Sequence, residues 1–454
     1  MPTSKYSEIT PEIQKLASYC VQNGTIDPTL YTKYDVKRGL RDLNGNGVLT
    51  GLTGISEIRS SKVVDGKSVP AEGQLFYRGY NIEDLVRSMP ADHSFGFEMT
   101  AYLLLFGELP TKEQLRLFID QLSFYRTLPT GFVRDIIMKA PSNDMMNTLA
   151  RSVLTMYSYD ETPDDVSIPN VLRQCIQLIA IFPLLSVYGY QAYRHYNDGR
   201  SLYIHQPKPE LTTAENILRI LRSDKKFTPL EAKVLDIALM LHAEHGGGNN
   251  STFACRVLSS SATDAYSAYA AAIGSLKGPR HGGANSKVMA MHADIREHVR
   301  RWDDDGEVAG YLMKILNREA FDGAGLIYGM GHAVYTLSDP RAKICCQYAR
   351  KLAEQKGLGE EFALIERIER LAPQVMRDVR GTTKPICANI DLYTGFIYNM
   401  LGVPEDLYTP IFAVARTAGW AAHRMEEIYG ANRIIRPAYN SVMEQAEYVP
   451  LSER

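Results

Sequence analysis

Apolar residues recur at three- and four-residue intervals along most of this 454-residue chain, a period that gives each helix one buried stripe and cannot line the face of a sheet. Strict alternation is confined to residues 51–64 and 74–78, enough for a small hairpin. The fold class is therefore mainly α. With 45% apolar and 22% charged residues the chain can bury one large core or two to three smaller ones. Fifty Lys and Arg against fifty-two Asp and Glu leave a charge of −2, so electrostatics supply no reason for a nucleic acid or an anionic membrane as partner. The six cysteines form no C-x-x-C pair, which argues against a disulfide framework or a thiolate zinc site and for a reducing cytoplasm. Acids at Glu8, Glu12, Asp27 and Asp35 do not suit a transit or secretory segment. The most apolar run, 176–187, is broken by Gln177 and Pro183 and is shorter than the roughly 20 residues a membrane crossing needs, so it reads as a buried helix.

Three helices are well marked. Thr228-Pro229-Leu230-Glu231 supplies an N-cap, a first-turn proline and a carboxylate three residues after the cap; the helix it opens carries His242 and His245 near its end, before Gly246-Gly247-Gly248. A second, about 264–276, is rich in alanine and permits close approach of a neighbour. The third starts after His281-Gly282-Gly283-Ala284, with Asn285 as the expected N-cap. No internal repeat or low-complexity tract interrupts them.

Six of the ten histidines fall between positions 242 and 332, where an even spread would place about two. His292 and His298 lie within a helix and read as structural. His281 and His332 are flanked by glycine, which puts each imidazole on a loop that substrate can approach. At a helix N-terminus the positive end of the dipole disfavours imidazolium, so His281 should be neutral and able to donate a hydrogen bond to a carbonyl oxygen, as an enolate requires. Asp391, set among apolar residues, is a candidate base, although taken alone it reads more readily as a helix cap. Arg341 in Asp339-Pro340-Arg341, Arg416 in an apolar helix and Arg436 before Pro437 each call for a carboxylate or phosphate, from a ligand or from a structural ion pair. A metal site from His242, Glu244 and His245 lacks the H-E-x-x-H spacing. The run Gly323 to Gly329 has one residue too many for a dinucleotide fingerprint and follows a helix. Neither a metal nor a redox cofactor is expected.

Taken together, Tyr77-Arg78-Gly79-Tyr80, Leu104 to Thr111, His242-Ala243-Glu244-His245, Gly278 to Asn285, Gly331 to Tyr335, Asp339-Pro340-Arg341, Asn389-Ile390-Asp391 and Phe412 to Arg416 resemble the citrate synthase family in order and spacing over about residues 45 to 440. The resemblance implies a nearly all-helical homodimer whose subunits have a large domain (1–282, including an extension at 1–44, and 403–454) and a small one (283–402) that closes over substrate. It implies that His281 hydrogen-bonds the thioester carbonyl of acetyl-CoA, that Asp391 removes a methyl proton, and that His332 polarises the ketone of oxaloacetate. His245, Arg341 and Arg416 would bind oxaloacetate, and Arg436 would reach its carboxylate from the neighbouring subunit. The loop bearing Gly325, Gly329 and Gly331 would meet the adenine of CoA. The implied reaction gives citrate and free CoA; 2-methylcitrate synthesis from propionyl-CoA is the alternative, and a silent acyl-CoA or dicarboxylate sensor a more distant one. Where many relatives have proline before the asparagine of the aspartate motif, this chain has Ala388, which loosens the backbone aiming Asp391; Ala333 follows His332, and Gly246 to Gly248 replace a more polar stretch.

Overall fold

A computed structural model describes residues 7, 9–42, 47–89, 95–381, 384–430 and 433–454. Residues Met1–Leu52 form one compact unit and Thr53–Arg454 another. In the first, the helix Pro11–Gly24 starts at Thr10, whose hydroxyl accepts from the Ile13 amide; a short helix, Thr29–Lys33, follows.

The second unit opens with an antiparallel hairpin, β1 (Ser56–Val64) and β2 (Lys67–Tyr77), with the two-residue β3 (Tyr80–Asn81) alongside β2. Asp65 and Gly66 join β1 to β2 with φ of 51° and 74°, the two left-handed residues of a type I′ turn whose twist matches that of the strands. Strand β2 begins at Lys67, earlier than the alternation at Gln74 predicts, because residues 67–70 pair with 61–64 of β1 across the turn, and its middle is shaped by contact with a distant part of the chain. A Cβ on Gly73 would lie 2.1 Å from the Ser338 carbonyl oxygen and 2.6 Å from the Tyr335 ring. Only glycine lets β2 press on that loop.

The other regular elements among the described residues are helices. The capping box at Thr228 forms as the sequence predicts and opens the helix Pro229–His242, in which Glu231, Ala232 and every residue from Val234 to His242 are buried. A helix buried all round belongs to the centre of a core. The helix Ile168–Asp198 is its companion: it is long and apolar enough to cross a membrane, yet most of its apolar stretch, including 176–187, is buried inside the protein. The helix Tyr408–Gly430 lies against both, so close that the Gly419 amide donates to the Ala243 carbonyl at 3.1 Å. A Cβ at Gly419 would stand 2.3 Å from Glu244 Oε2 and 2.4 Å from that carbonyl. A second apolar cluster, including Met291, Ile295, Leu312, Leu364 and Ile368, is shared by the helices Ala284–His298, Asp305–Leu316 and Gly359–Arg380.

One expected cap is corrected. Asn285 lies inside the helix, buried, and Gly283 occupies the N-cap position; the Asn285 amide oxygen is used instead to accept from the buried Thr394 hydroxyl at 2.8 Å, which would otherwise have no partner.

The two glycine environments generate opposite expectations. Gly73→Ala should destabilise by about 1–3 kcal/mol through overpacking. Gly310→Ala, in the helix Asp305–Leu316 with no atom within 4 Å of the added carbon, should stabilise by about 0.5–1 kcal/mol through helix propensity. Urea unfolding of both variants beside the parent chain measures the two shifts.

Candidate active site

A short backbone ladder builds the centre of the site. Gly325, Gly329 and Gly331 have φ of 71°, 84° and 89°, which glycine alone adopts freely. The last two let residues 329–331 run against 387–389: Met330 bridges Ala388, the Gly331 amide donates to the Cys387 carbonyl at 2.7 Å, and the Asn389 amide donates to the Gly329 carbonyl at 2.9 Å. The Asn389 side chain adds a donation to the Gly331 carbonyl at 2.8 Å. Asp391 and His332 leave this ladder directly, so its backbone sets their relation. Ala388 is buried within it, and pairing restrains the backbone where proline is absent.

Asp391 is the first residue of the helix Asp391–Met400, but it does not cap it. Ile390 holds the N-cap position without a side-chain cap bond; the Asn389 side chain accepts from the Asp391 amide at 3.0 Å, while the Asp391 carboxylate accepts no hydrogen bond from a described residue. Burial raises this carboxylate to about 6, with Asp339 adding to the rise and Arg341 opposing it. It is therefore a base poised near neutrality.

Three rings gather around the guanidinium of Arg341, whose charge acts on Asp391. His332 Nδ1 accepts from the Val334 and Tyr335 amides at 3.0 and 3.1 Å, which leaves the ring proton of the neutral form on Nε2. Arg341 Nη2 stands 3.4 Å from that Nε2. Two N–H groups cannot satisfy each other, so both suit a single external oxygen. The His245 ring lies 5.1 Å from His332, and Tyr335 is 4.8 Å from His332 and 5.6 Å from His245. Arg341 is also half of a structural ion pair: it meets Asp339 through Nε at 3.0 Å and Nη2 at 2.8 Å, a bidentate geometry that holds the guanidinium plane still.

Phe412 organises the other side. His242 lies 4.5 Å from its ring, the Arg416 guanidinium 4.8 Å, and His281 6.3 Å. Arg416 Nε donates to the His242 carbonyl at 2.7 Å, and burial lowers this arginine to about 10. His281 Nε2 meets the Ser251 hydroxyl at 3.1 Å. The sequence predicts a neutral His281, and the ring is neutral, lowered to about 4; the cause is burial first and Arg416 second rather than the helix terminus. His242 and His245 are driven well below the usual imidazole range by burial and then by Arg341. Buried polar atoms without a hydrogen-bond partner among the described residues include, here, both His242 ring nitrogens, His245 Nε2, the Tyr335 hydroxyl and Arg416 Nη1. Each costs about 1–3 kcal/mol unless something bonds it, a cost that a polar ligand would remove.

His245, His332, Arg341 and Asp391 are thus brought together, with Arg416 and His281 joined to them around Phe412. Arg436 is not: it lies on the exposed 433–440 stretch, where the Ile435 amide donates to Ser260 Oγ at 3.0 Å. His292 is buried in its helix and His298 stacks on Tyr311, as structural residues do. Sequence reasoning missed Tyr335, Ser251, Phe412 and His423. His423 had a signal: it follows Arg416 by seven residues, and therefore shares its helix face.

A tuned base beside neutral imidazoles and fixed guanidinium groups is what an enzyme acting on a small anion requires. The chain belongs to the citrate synthase family: residues 43–438 match the family model described as citrate synthase, C-terminal domain. It is 36% identical over 426 residues to a citrate synthase of Haloferax volcanii, covering 92% of this chain and 99% of the relative, and 34% identical over 425 residues to 2-methylcitrate synthase 1 of Corynebacterium glutamicum, covering 92% and 98%. Among solved structures, the ternary complex of citrate synthase from Thermoplasma acidophilum with carboxymethyl coenzyme A and oxaloacetate superposes with a TM-score of 0.74 at 28% identity, covering 92% of this chain and 99% of that one.

The raised Asp391 carboxylate carries a stability consequence. Its folded value lies above the value of 3.8 for a free carboxylate, so the folded state binds the proton more tightly; this contribution is favourable at acid pH and is lost as pH rises through about 6. Asp391→Asn should therefore stabilise the protein at pH 7.5 by about 3 kcal/mol and by roughly half as much at pH 5. Thermal unfolding at the two pH values checks the difference.

Proposed function

We propose that this chain condenses acetyl-CoA with oxaloacetate and hydrolyses the resulting thioester to citrate and free CoA. The observation that carries the reading is the half-buried Asp391 carboxylate, without a hydrogen bond among the described residues and raised to about 6, two residues beyond the 387–389 segment that the 329–331 ladder holds. Asp391 takes a proton from the methyl group of the thioester while His281 donates to the thioester oxygen, so the C–H electron pair becomes the enol double bond. That carbon attacks the oxaloacetate ketone, whose oxygen, polarised by His332 and Arg341, takes the Nε2 proton of His332, while the enol proton returns to His281 and the thioester carbonyl re-forms. Water then cleaves the thioester and CoA leaves as the thiol. His245 and Arg416 bind the dicarboxylate, and the backbone at Gly325, Gly329 and Gly331 receives the adenine of CoA. The proposed active form is a homodimer in which Arg436 of each subunit completes the other's site, and residues 283–402 act as the small domain that closes over substrate. This acyltransferase chemistry calls for no metal and no redox cofactor. Six unpaired cysteines suit a cytoplasmic setting.

A second reading, 2-methylcitrate synthesis from propionyl-CoA, is favoured by the relative of that name at 34% identity. One methylene in an apolar pocket is worth only about 1–3 kcal/mol of discrimination.

Thiol release measured with oxaloacetate and either acetyl-CoA or propionyl-CoA separates the two readings by the larger kcat/KM. No release with either acyl donor would sink both. Asp391→Ala should lower kcat by about 10²–10⁴-fold, the range for a general base, with a much smaller change in oxaloacetate affinity. Because the base must be ionised, kcat of the parent chain should fall about tenfold per pH unit below about 6.

A further inference from the structure

A chain of buried charges runs behind His245 and uses none of the groups assigned above. Glu244 has no exposed side-chain surface, and its Oε1 accepts from three elements: Ser56 Oγ at the start of β1 at 2.9 Å, the Gly246 amide at 2.5 Å and His423 Nε2 at 3.0 Å. On the far side of the imidazole, His423 Nδ1 lies 2.7 Å from Arg256 Nη1. A guanidinium has no lone pair to offer, so Nδ1 is the acceptor, the ring proton sits on Nε2, and His423 donates to Glu244. Arg256 is fixed in turn by Glu426 at 2.8 Å and Glu427 at 3.2 Å, and Glu426 Oε1 accepts from the Gly54 amide at 2.8 Å. The turn of residues 244–246 is thereby clamped from inside: Glu244 folds back on the Gly246 amide, and His245 projects from between them.

Two features make this more than an ordinary buried network. Gly246 has φ of 87°, and Gly247 and Gly248 follow, so the backbone after His245 has little stiffness of its own. Beyond the loop, Gly419 meets Glu244 Oε2 with no room for a side chain, so the carboxylate cannot retreat without moving the Tyr408–Gly430 helix. The orientation of the His245 ring therefore depends on the clamp rather than on local chain geometry.

We infer that Glu244 and His423 are positioning residues that hold His245 in register for the dicarboxylate substrate, the donation from His423 Nε2 to Glu244 being the controlling link. This inference rests on the function proposed above. It separates the two substrates: loosening the clamp should weaken use of oxaloacetate and leave the acyl-CoA side, served by His281 and the 325–331 loop, nearly unchanged.

Asparagine and glutamine divide the two imidazole functions. The His423→Asn oxygen falls near Nδ1 and keeps the bond from Arg256 but offers Glu244 no donor. The His423→Gln amide falls near Nε2 and keeps the donation to Glu244. In the full-length protein, His423→Asn should raise KM for oxaloacetate about tenfold, with kcat and KM for acetyl-CoA within about threefold of the parent; His423→Gln should bring KM for oxaloacetate back to within about threefold. Calorimetric titration of oxaloacetate alone should show the same order. A folded His423→Asn protein with unchanged KM for oxaloacetate overturns the inference, as does an equal effect of Asn and Gln or an equal rise in KM for both substrates. Should His423→Asn fail to fold, Ser56→Ala carries the test: it removes one donor to Glu244 from the edge of the molecule and should raise KM for oxaloacetate two- to threefold, and no change overturns the inference. A parent chain that releases no CoA but binds oxaloacetate rejects the proposed reaction while the titration series still decides the clamp; a parent chain that does neither rejects both.

Discussion

The constraint on which the site depends is the pairing of residues 329–331 with 387–389. It is a minimal piece of sheet in a helical protein, and it ties two segments more than fifty residues apart so that an imidazole leaves one edge and a carboxylate leaves the other. Side-chain contacts alone would leave two loops free to drift by an ångström, enough to spoil a proton transfer. The glycines earn their place by geometry: a Cβ at Gly329 would meet Leu392 at 2.9 Å, at the start of the helix that Asp391 opens.

Desolvation is the second theme, and it acts with opposite sign on acids and bases. The same burial that raises Asp391 lowers His242, His245 and His281, so the site offers a carboxylate near its midpoint among imidazoles that stay uncharged. The positive charge needed to hold an anion is left to Arg341 and Arg416, one locked by Asp339 and the other by the His242 carbonyl. Neutral donors can then act on a developing negative charge without holding the ground state too tightly.

The helical class, the capping box at Thr228 and the buried run at 176–187 were legible in the sequence, because each follows from local spacing; the neutrality of His281 was expected from a helix terminus, whereas burial and Arg416 produce it. The hairpin was legible at its apolar ends; its middle, at Gly73, was not, because that strand owes its shape to the distant 335–338 loop. Asp391 shows the limit most clearly. From local pattern it could be a cap or a base; the structure removes the cap reading, because Asp391 lies inside the helix and its amide donates to Asn389, two residues upstream. Asn285 erred in the same way: a buried hydroxyl on another helix, Thr394, claimed the side chain. The Glu244–His423–Arg256 chain needed three dimensions, since its members come from separate helices and turns.

The hairpin also sets a schedule for the chain's own assembly. Gly73 waits for Ser338, 265 residues later, and Gly54 for Glu426, 372 residues later. A nascent chain emerging from the ribosome can form most of its helices early, yet these two long-range contacts cannot form until synthesis is nearly over. Until then the apolar faces of the first helices lack their final covering, and that interval is where a molecule of this topology stands most in need of chaperones.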